Sequence, residues 1–155
     1  MERDGFMSEK IFEDYFAEFQ SNMVSICLEY CNEKADVVYI LGSYESDMLS
    51  CHWFYDFDGN IVRKHKINTI SSELEVTVQR QKQCMAILVQ NMKKIIELCK
   101  EYDRPMPTEI RIIYDAKTHK TDAKYSYEPM WSNHSTKLSN DILDEWIQEL
   151  SSVKK

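Results

Sequence analysis

Residues 36–59 read DVVYILGSYESDMLSCHWFYDFDG, and this stretch decides the fold of the chain. Its first part, Asp36–Glu45, is rich in β-branched and aromatic residues, which predicts a strand. The second part, Met48–Phe57, alternates between two side-chain faces, which predicts another strand. Ser46-Asp47 makes a short turn between them, and Asp58-Gly59 is typical of a hairpin turn into a third strand at Ile61–Ile67.

Three stretches with apolar residues at helical spacing surround these strands. The predicted helices span residues 9–32, 72–102 and 140–152. Ser8 is the expected N-cap of the first helix, and Ser139 is the expected N-cap of the last. The pattern Ser72-x-x-Glu75 matches a capping box and predicts where the longest helix begins.

A second hairpin is expected between the two later helices. Residues 109–115 and 121–127 alternate in polarity, and a polar loop at 116–120 joins them. The predicted element order is therefore α-β-β-β-α-β-β-α. Because short hairpins pair strands antiparallel, we expect an α+β fold in which helices cover one face of an antiparallel sheet. A length of 155 residues suits a single domain spanning residues 1–155.

The acidic residues are concentrated in the first part of the chain. Residues 1–62 hold thirteen Asp or Glu and only three Lys or Arg, a net charge of −10, whereas residues 63–155 carry +3. An acidic surface repels nucleic acid and anionic membranes, and it accelerates association with a basic protein. The composition therefore disfavours nucleic-acid and membrane partners and favours a cationic protein partner.

We expect a cytoplasmic protein from the character of the N-terminus and the cysteines. No apolar signal region follows the acidic N-terminus, and no stretch approaches the roughly 18 apolar residues of a membrane span. The five cysteines are odd in number and contain no CxxC motif. This usage predicts free, buried thiols in a reducing compartment.

The motifs of common catalytic and cofactor sites are missing from the sequence. The four His are scattered, so we expect no metal site, and the three separated Gly form no phosphate-binding loop. Asp56 and Asp58 stand out because alternate residues of a strand share a face. They could bind Mg²⁺ or transfer protons, or they could stabilise the turn that follows. We expect no catalytic residues, no cofactor and a function in binding.

Several segments together resemble the YezG-like immunity proteins of bacterial polymorphic toxin systems. They are CHWFYDFDG at 51–59, IRIIYD at 110–115 and KYSYE at 124–128, in the same arrangement around a long central helix. The resemblance covers residues 10–150, although Pro105-Met106-Pro107 stands where the family tends to have a tryptophan. It implies a cytoplasmic immunity protein that binds and neutralises a cognate toxin domain, often a nuclease.

The expected toxin-binding residues lie in predicted turns, linkers and acidic strand ends. The candidate anchors are Tyr44, Met48 and Trp131. The candidate charged contacts are Glu45, Asp47, Asp56 and Asp58. A few aromatic or apolar side chains carry most of the binding energy of an interface, and complementary charge speeds its formation. A second interpretation of Trp131 is open, in which it packs onto the last helix.

Two other functions stay open at the level of the sequence. Type III secretion chaperones are also small and acidic and have a similar element order, so the alternative is an acidic homodimeric chaperone for a secreted effector. An enzyme using Asp56 or a cysteine is the third interpretation. The sequence does not decide between a monomer and a dimer.

Overall fold

A computed structural model describes residues 5–134 and 136–154, with the side chains of residues 11–134 and 136–153. In chain order the elements are α1 (Gly5–Tyr30), β1 (Val37–Glu45), β2 (Met48–Phe57), β3 (Asn60–Arg63), a 3₁₀ helix (Lys64–Thr69), α2 (Val78–Glu101), β4 (Glu109–Asp115), β5 (Lys120–Ser126) and α3 (Ser139–Lys154). This order confirms the predicted α+β class and the predicted succession of elements.

The five strands form one antiparallel sheet in the order β3-β2-β1-β4-β5. β1 is the central strand, because β2 pairs with one side of it and β4 with the other. Its pairing with β2 runs from Val37 opposite Asp56 to Glu45 opposite Met48. The first three strands therefore form a meander, and the second hairpin, β4–β5, is added on the far side of β1.

Both short turns of the meander have the backbone conformation that a two-residue hairpin loop requires. Ser46 and Asp47 have φ values of 51° and 60°, and Asp58 and Gly59 have φ values of 53° and 87°. Two successive residues at positive φ are characteristic of a type I′ turn, whose twist matches that of the paired strands. The predicted turns at both positions are confirmed.

Helices α1 and α2 pack against one face of the sheet and enclose the larger core. The rings of Tyr30 and Trp53 pack edge to face in this core, with their centroids 5.4 Å apart. The hydroxyl of Tyr55 donates a hydrogen bond of 2.6 Å to the carbonyl of Cys27 and so ties β2 to α1. All five cysteines are free and buried in this core, which confirms the prediction for the thiols.

Helix α3 packs against the opposite face of the sheet, so the prediction that helices cover one face is corrected. Its Trp146 meets the rings of Tyr39 and Phe54 edge to face, at centroid distances of 5.6 and 5.2 Å. Tyr39 and Phe54 are themselves stacked across β1 and β2 at 4.7 Å. The physical reason is that β1 and β2 carry large apolar side chains on both faces, and both need cover from water.

Several helices and strands begin or end at residues other than those predicted from the sequence. Helix α1 already begins at Gly5, so Ser8 lies within it and is not its N-cap. Helix α2 begins at Val78 rather than at Ser72, because the hydroxyl of Thr77 accepts the N–H of Arg80 at 3.0 Å and caps it. The third strand ends at Arg63, after which the 3₁₀ helix turns the chain and buries Ile67.

The apolar cluster between α3 and the sheet, called the smaller core below, contains Tyr39, Leu41, Phe54, Trp131, Ile142, Leu143 and Trp146. Removing the ring of Trp146 from it should lower the stability of the fold strongly. Trp146→Ala should lower the free energy of unfolding by about 3–5 kcal/mol, because it deletes the ring that joins α3 to β1 and β2. Val153→Ala in the same helix, where the side chain is 81% exposed, should change it by less than ~0.5 kcal/mol. Urea denaturation followed by circular dichroism measures both. Equal costs for the two variants would show that α3 is not anchored through Trp146.

Candidate functional site

The structure separates the seven predicted contact residues instead of gathering them. Glu45, Asp56 and Trp131 are buried, Tyr44 is half-buried, and Asp47, Met48 and Asp58 are exposed. The exposed acids lie at opposite ends of β2, which spans about 30 Å at the usual rise per residue of a strand. These seven residues therefore do not share one surface.

Glu45 holds a distant segment of the chain against the sheet. Its carboxylate accepts the backbone N–H groups of Met130, Trp131 and Ser132 at 2.8, 3.3 and 3.0 Å. Burial alone would raise the pKa of Glu45, but hydrogen bonds from Ser132 and from these backbone groups outweigh burial and hold the pKa below its ordinary value. Glu45 thus serves the fold, and its carboxylate is buried rather than presented to solvent.

Trp131 belongs to the smaller core and not to an exposed surface. Its indole Nε1 donates a hydrogen bond of 3.0 Å to the hydroxyl of Ser43, and its ring lies in the same apolar cluster as Trp146 and Ile142 of α3. This placement confirms the second interpretation of Trp131, in which it packs onto the last helix. Only 7% of the residue is exposed, so it offers little area for contact with a partner.

Asp56 stabilises the turn that follows it. Its carboxylate accepts the N–H of Gly59 at 2.7 Å, and only 3% of the residue is exposed. The neighbouring turn residue Asp58 donates its N–H to the carboxylate of Asp36, also at 2.7 Å. These bonds favour the interpretation in which Asp56 serves the turn.

Two serines and a histidine, Ser50, Ser139 and His52, lie close together near the start of α3. The hydroxyl of Ser139 accepts a hydrogen bond of 2.9 Å from Ser50 and lies 3.3 Å from Nε2 of His52. Burial and the nearby charge of Lys64 lower the pKa of His52 to about 4, so that the imidazole is neutral at pH 7 but is a weak base. Within the described residues no carboxylate is hydrogen bonded to His52, as a nucleophile–base pair would require for orientation.

The same group of residues corrects the predicted cap of the last helix. Ser139 is the first residue of α3, and its hydroxyl points to β2. Asp141, in the first turn of α3, accepts the N–H of Leu138 at 2.8 Å, which is the bond that the third helical residue makes in a capping box.

The remaining reactive groups are arranged for packing. Burial raises the pKa of Cys51 to about 12, so this residue is a thiol and a poor nucleophile at neutral pH. Within residues 5–134 and 136–154, no three His, Cys, Asp or Glu side chains are grouped so that they could hold a metal ion.

None of the helices in this part of the chain is both long enough and apolar enough to cross a membrane.

The exposed side of α1 carries an acidic surface that is not among the contacts predicted from the sequence. Glu13, Asp14, Glu18 and Glu29 are all exposed there, and residues 11–33 contain no Lys or Arg. Asp14, Glu18 and Glu29 fall at spacings that place them on one side of the helix, opposite the buried stripe. The helical periodicity of residues 9–32 contained this information, because the gaps in the apolar stripe are where these acids occur.

A groove with an aromatic floor runs between α1 and α2 beside this acidic surface. It has a volume of about 480 Å³ and is lined by Tyr15 and Phe19 from α1 and by Lys93, Lys94 and Glu97 from α2. The two rings stack with centroids 6.4 Å apart, and Tyr15 is 45% exposed. The groove thus places exposed aromatic area next to charged side chains of both signs.

Comparison of the chain with protein-family models and with curated proteins gave no match. The resemblance to immunity proteins therefore has no support beyond the segments in which it was found.

The bonds at Glu45 predict a pH-dependent contribution to stability. Glu45→Gln should lower the free energy of unfolding by about 1–3 kcal/mol at pH 7, because a neutral amide accepts the three N–H groups less strongly. Since the folded-state pKa of Glu45 is lowered, its contribution is complete above the unfolded pKa of about 4.3 and is lost as pH falls through the folded pKa. Urea titrations at several pH values should show the difference between wild type and variant shrinking on acidification.

A matched control for Glu45 lies two residues further along the chain. Asp47→Asn removes the same charge from an exposed turn position and should change stability by less than ~0.5 kcal/mol at any pH. A difference between wild type and Glu45→Gln that does not depend on pH would contradict the assigned role of this carboxylate.

Proposed function

We propose that this chain is a cytoplasmic immunity protein that binds and neutralises a cognate cationic toxin domain. The observation that carries the proposal is the acidic exposed side of α1, where Asp14, Glu18 and Glu29 are uninterrupted by any Lys or Arg from residue 11 to residue 33. The resemblance of the segments at 51–59, 110–115 and 124–128 to immunity proteins agrees with it.

Charge of one sign on one helix face has a definite kinetic effect on binding. Like charges held on a rigid helix create a local field that attracts an oppositely charged partner, and such steering raises association rates by roughly 10- to 1,000-fold at low ionic strength. Toxins that cleave nucleic acid have cationic active sites because they must bind phosphates. An acidic inhibitor can therefore occupy such a site in place of the substrate's charge.

Charge alone gives speed rather than a long-lived complex, so the complex also needs apolar contact. Tyr15 and Phe19 lie in the groove beside the acidic surface, and Tyr15 presents nearly half of its area to solvent. Exposed aromatic rings that become buried on binding are common energetic centres of protein interfaces. The α1 surface thus combines the two features that an inhibitory interface requires.

The alternative function, an acidic homodimeric chaperone for a secreted effector, also has an observation in its favour. The sheet ends in a seven-residue edge strand, β5, and such a strand can accept an extended segment by β-pairing. A chaperone would bind an unfolded client segment, whereas an immunity protein would bind a folded toxin domain. Pull-down with the folded domain and with overlapping peptides from it separates the two functions.

The toxin encoded beside the gene of this chain provides the direct test of the proposal. Co-expression of the chain should restore growth of cells that produce this toxin, and the two proteins should elute together on size exclusion. Absence of both growth rescue and a complex would reject the immunity function.

The α1 surface is tested by removing its charge while keeping side-chain shape. The triple variant Asp14→Asn, Glu18→Gln and Glu29→Gln should bind the toxin about tenfold more slowly at low salt, with little change in dissociation. Its association rate should also depend less on salt, because screening acts on the charges that have been removed. Stopped-flow or surface plasmon resonance at several salt concentrations measures these rates.

A matched triple variant loses the same charge elsewhere on the surface. The changes Glu75→Gln, Glu128→Gln and Glu149→Gln affect exposed acids outside α1 and should slow association much less. Equal slowing by the two triple variants would show that only net charge matters, and α1 would lose its proposed role.

A further inference from the structure

The two edges of the sheet differ in how open they are. At one edge β3 has only four residues and passes directly into the 3₁₀ helix, which ends the row of backbone groups available for pairing. At the other edge β5 has seven residues, and among the described strands it pairs with β4 alone. An edge strand of this length presents unpaired N–H and C=O groups to any strand that approaches it.

Space is available on both sides of the β5 edge. On the α1 side a groove of about 340 Å³ lies between Ala17 and Gln20 of α1 and Thr121 and Tyr125 of β5. On the α3 side a second groove, of about 580 Å³, is lined by Trp146, Leu150 and Val153 together with Asp122 and Lys124. Because grooves flank the strand on both faces of the sheet, an incoming strand has room for side chains in both directions.

The sequence of β5, Lys120-Thr-Asp-Ala-Lys-Tyr-Ser126, complements itself when two copies run antiparallel. If Ala123 stands opposite Ala123 of a second copy, Asp122 stands opposite Lys124 in both directions, and Thr121 stands opposite Tyr125. Residues directly opposite each other share a face, so both Asp–Lys pairs fall on the α3 side of the sheet. Opposite charges in such cross-strand pairs stabilise the pairing.

Neither of these charges has an ion-pair partner of its own among the described residues of the monomer. Within the sheet, Lys124 lies opposite Arg111, a like charge, and Asp122 lies opposite the apolar Ile113. Arg111 is already engaged, since its Nε donates to the carboxylate of Glu109 at 2.8 Å. Lys124 and Asp122 thus lie exposed to solvent on the α3 side, where both are available to an approaching strand.

We propose that β5 pairs with β5 of a second copy of this chain, in the register centred on Ala123, and joins two five-stranded sheets into one continuous sheet. Lysines on an edge strand normally prevent pairing by repulsion. Here Asp122 lies between Lys120 and Lys124, and the antiparallel register turns that repulsion into two attractive pairs. The proposal does not rest on the proposed function, because an immunity protein and a chaperone can each be dimeric.

Charge reversal at the two paired positions tests the dimer directly. Lys124→Asp places two carboxylates opposite each other, and Asp122→Lys places two ammonium groups opposite each other, twice in each dimer. Each single variant should weaken dimerisation about tenfold or more, as judged from the usual strength of cross-strand charge pairs. Sedimentation equilibrium of the full chain over a wide concentration range measures the dissociation constant.

Mixing the two single variants provides a test that a folding defect cannot imitate. A strand carrying Asp122→Lys is complementary to a strand carrying Lys124→Asp, so the mixture should form a heterodimer with the affinity of wild type. The double variant should again form homodimers. Lys117→Asp makes the same charge change in the β4–β5 turn, outside the register, and should leave dimerisation unchanged.

Cysteine cross-linking tests the register. Ala123→Cys places two thiols opposite each other at the two-fold axis, within the Cα separation that a disulfide spans. Mild oxidation should link this variant into a covalent dimer, whereas Thr121→Cys should form the dimer without a covalent link, because Thr121 lies opposite Tyr125. The native cysteines are buried and do not compete.

Three results would overturn the proposal. They are a wild-type chain that stays monomeric at every concentration, a mixture of the single variants that does not associate, and equal cross-linking at positions 121 and 123. A monomeric wild type that binds an extended peptide along β5 would assign the edge to a strand of another protein instead of a second copy.

Discussion

The structure depends on the burial of the central strand β1 from both sides. Val38 and Ile40 face α1 and α2, while Tyr39 and Leu41 face α3, and each of these side chains is at most 4% exposed. A strand with large apolar groups on both faces cannot be stable at a water boundary, so the chain must supply a layer on each side. The N-terminal and central helices provide one layer, and the C-terminal helix with the segment around Trp131 provides the other.

This constraint also explains why acidic residues appear inside the protein. The segment around Trp131 has no regular structure, so its backbone N–H groups need acceptors wherever it covers the sheet. Glu45, at the end of β1, supplies one carboxylate for three of them. A strongly acidic composition therefore does not translate directly into an acidic surface. In this protein the exposed acids of α1 indicate the electrostatic potential at the surface better than the net charge does.

The local features of the fold could be predicted from the sequence, whereas those set by distant contacts could not. Asp58-Gly59 and Ser46-Asp47 were recognisable turns because their backbone needs are local. The apolar run at 37–41 was recognisable as a strand, yet nothing local shows that both of its faces are covered or which helix covers which side. Ser72 matched a capping box, yet Thr77 caps α2, and Leu74, which lies between these two residues, is buried in the larger core ahead of the helix. The role of Glu45 depends on Met130, 85 positions away, and no pattern in the sequence connects them.

The gathering of all five thiols in the core between the sheet and α1 and α2 gives the protein a built-in reporter of its own opening. Since the folded chain shields each sulfur from solvent, an alkylating reagent can react only with molecules in which this layer has separated. The rate of modification would then measure the free energy of local opening at each cysteine, without any introduced probe. Cys51 on β2 and Cys84 on α2 would report from the two sides of the same layer, and a difference between them would reveal whether the helices detach before the strands separate.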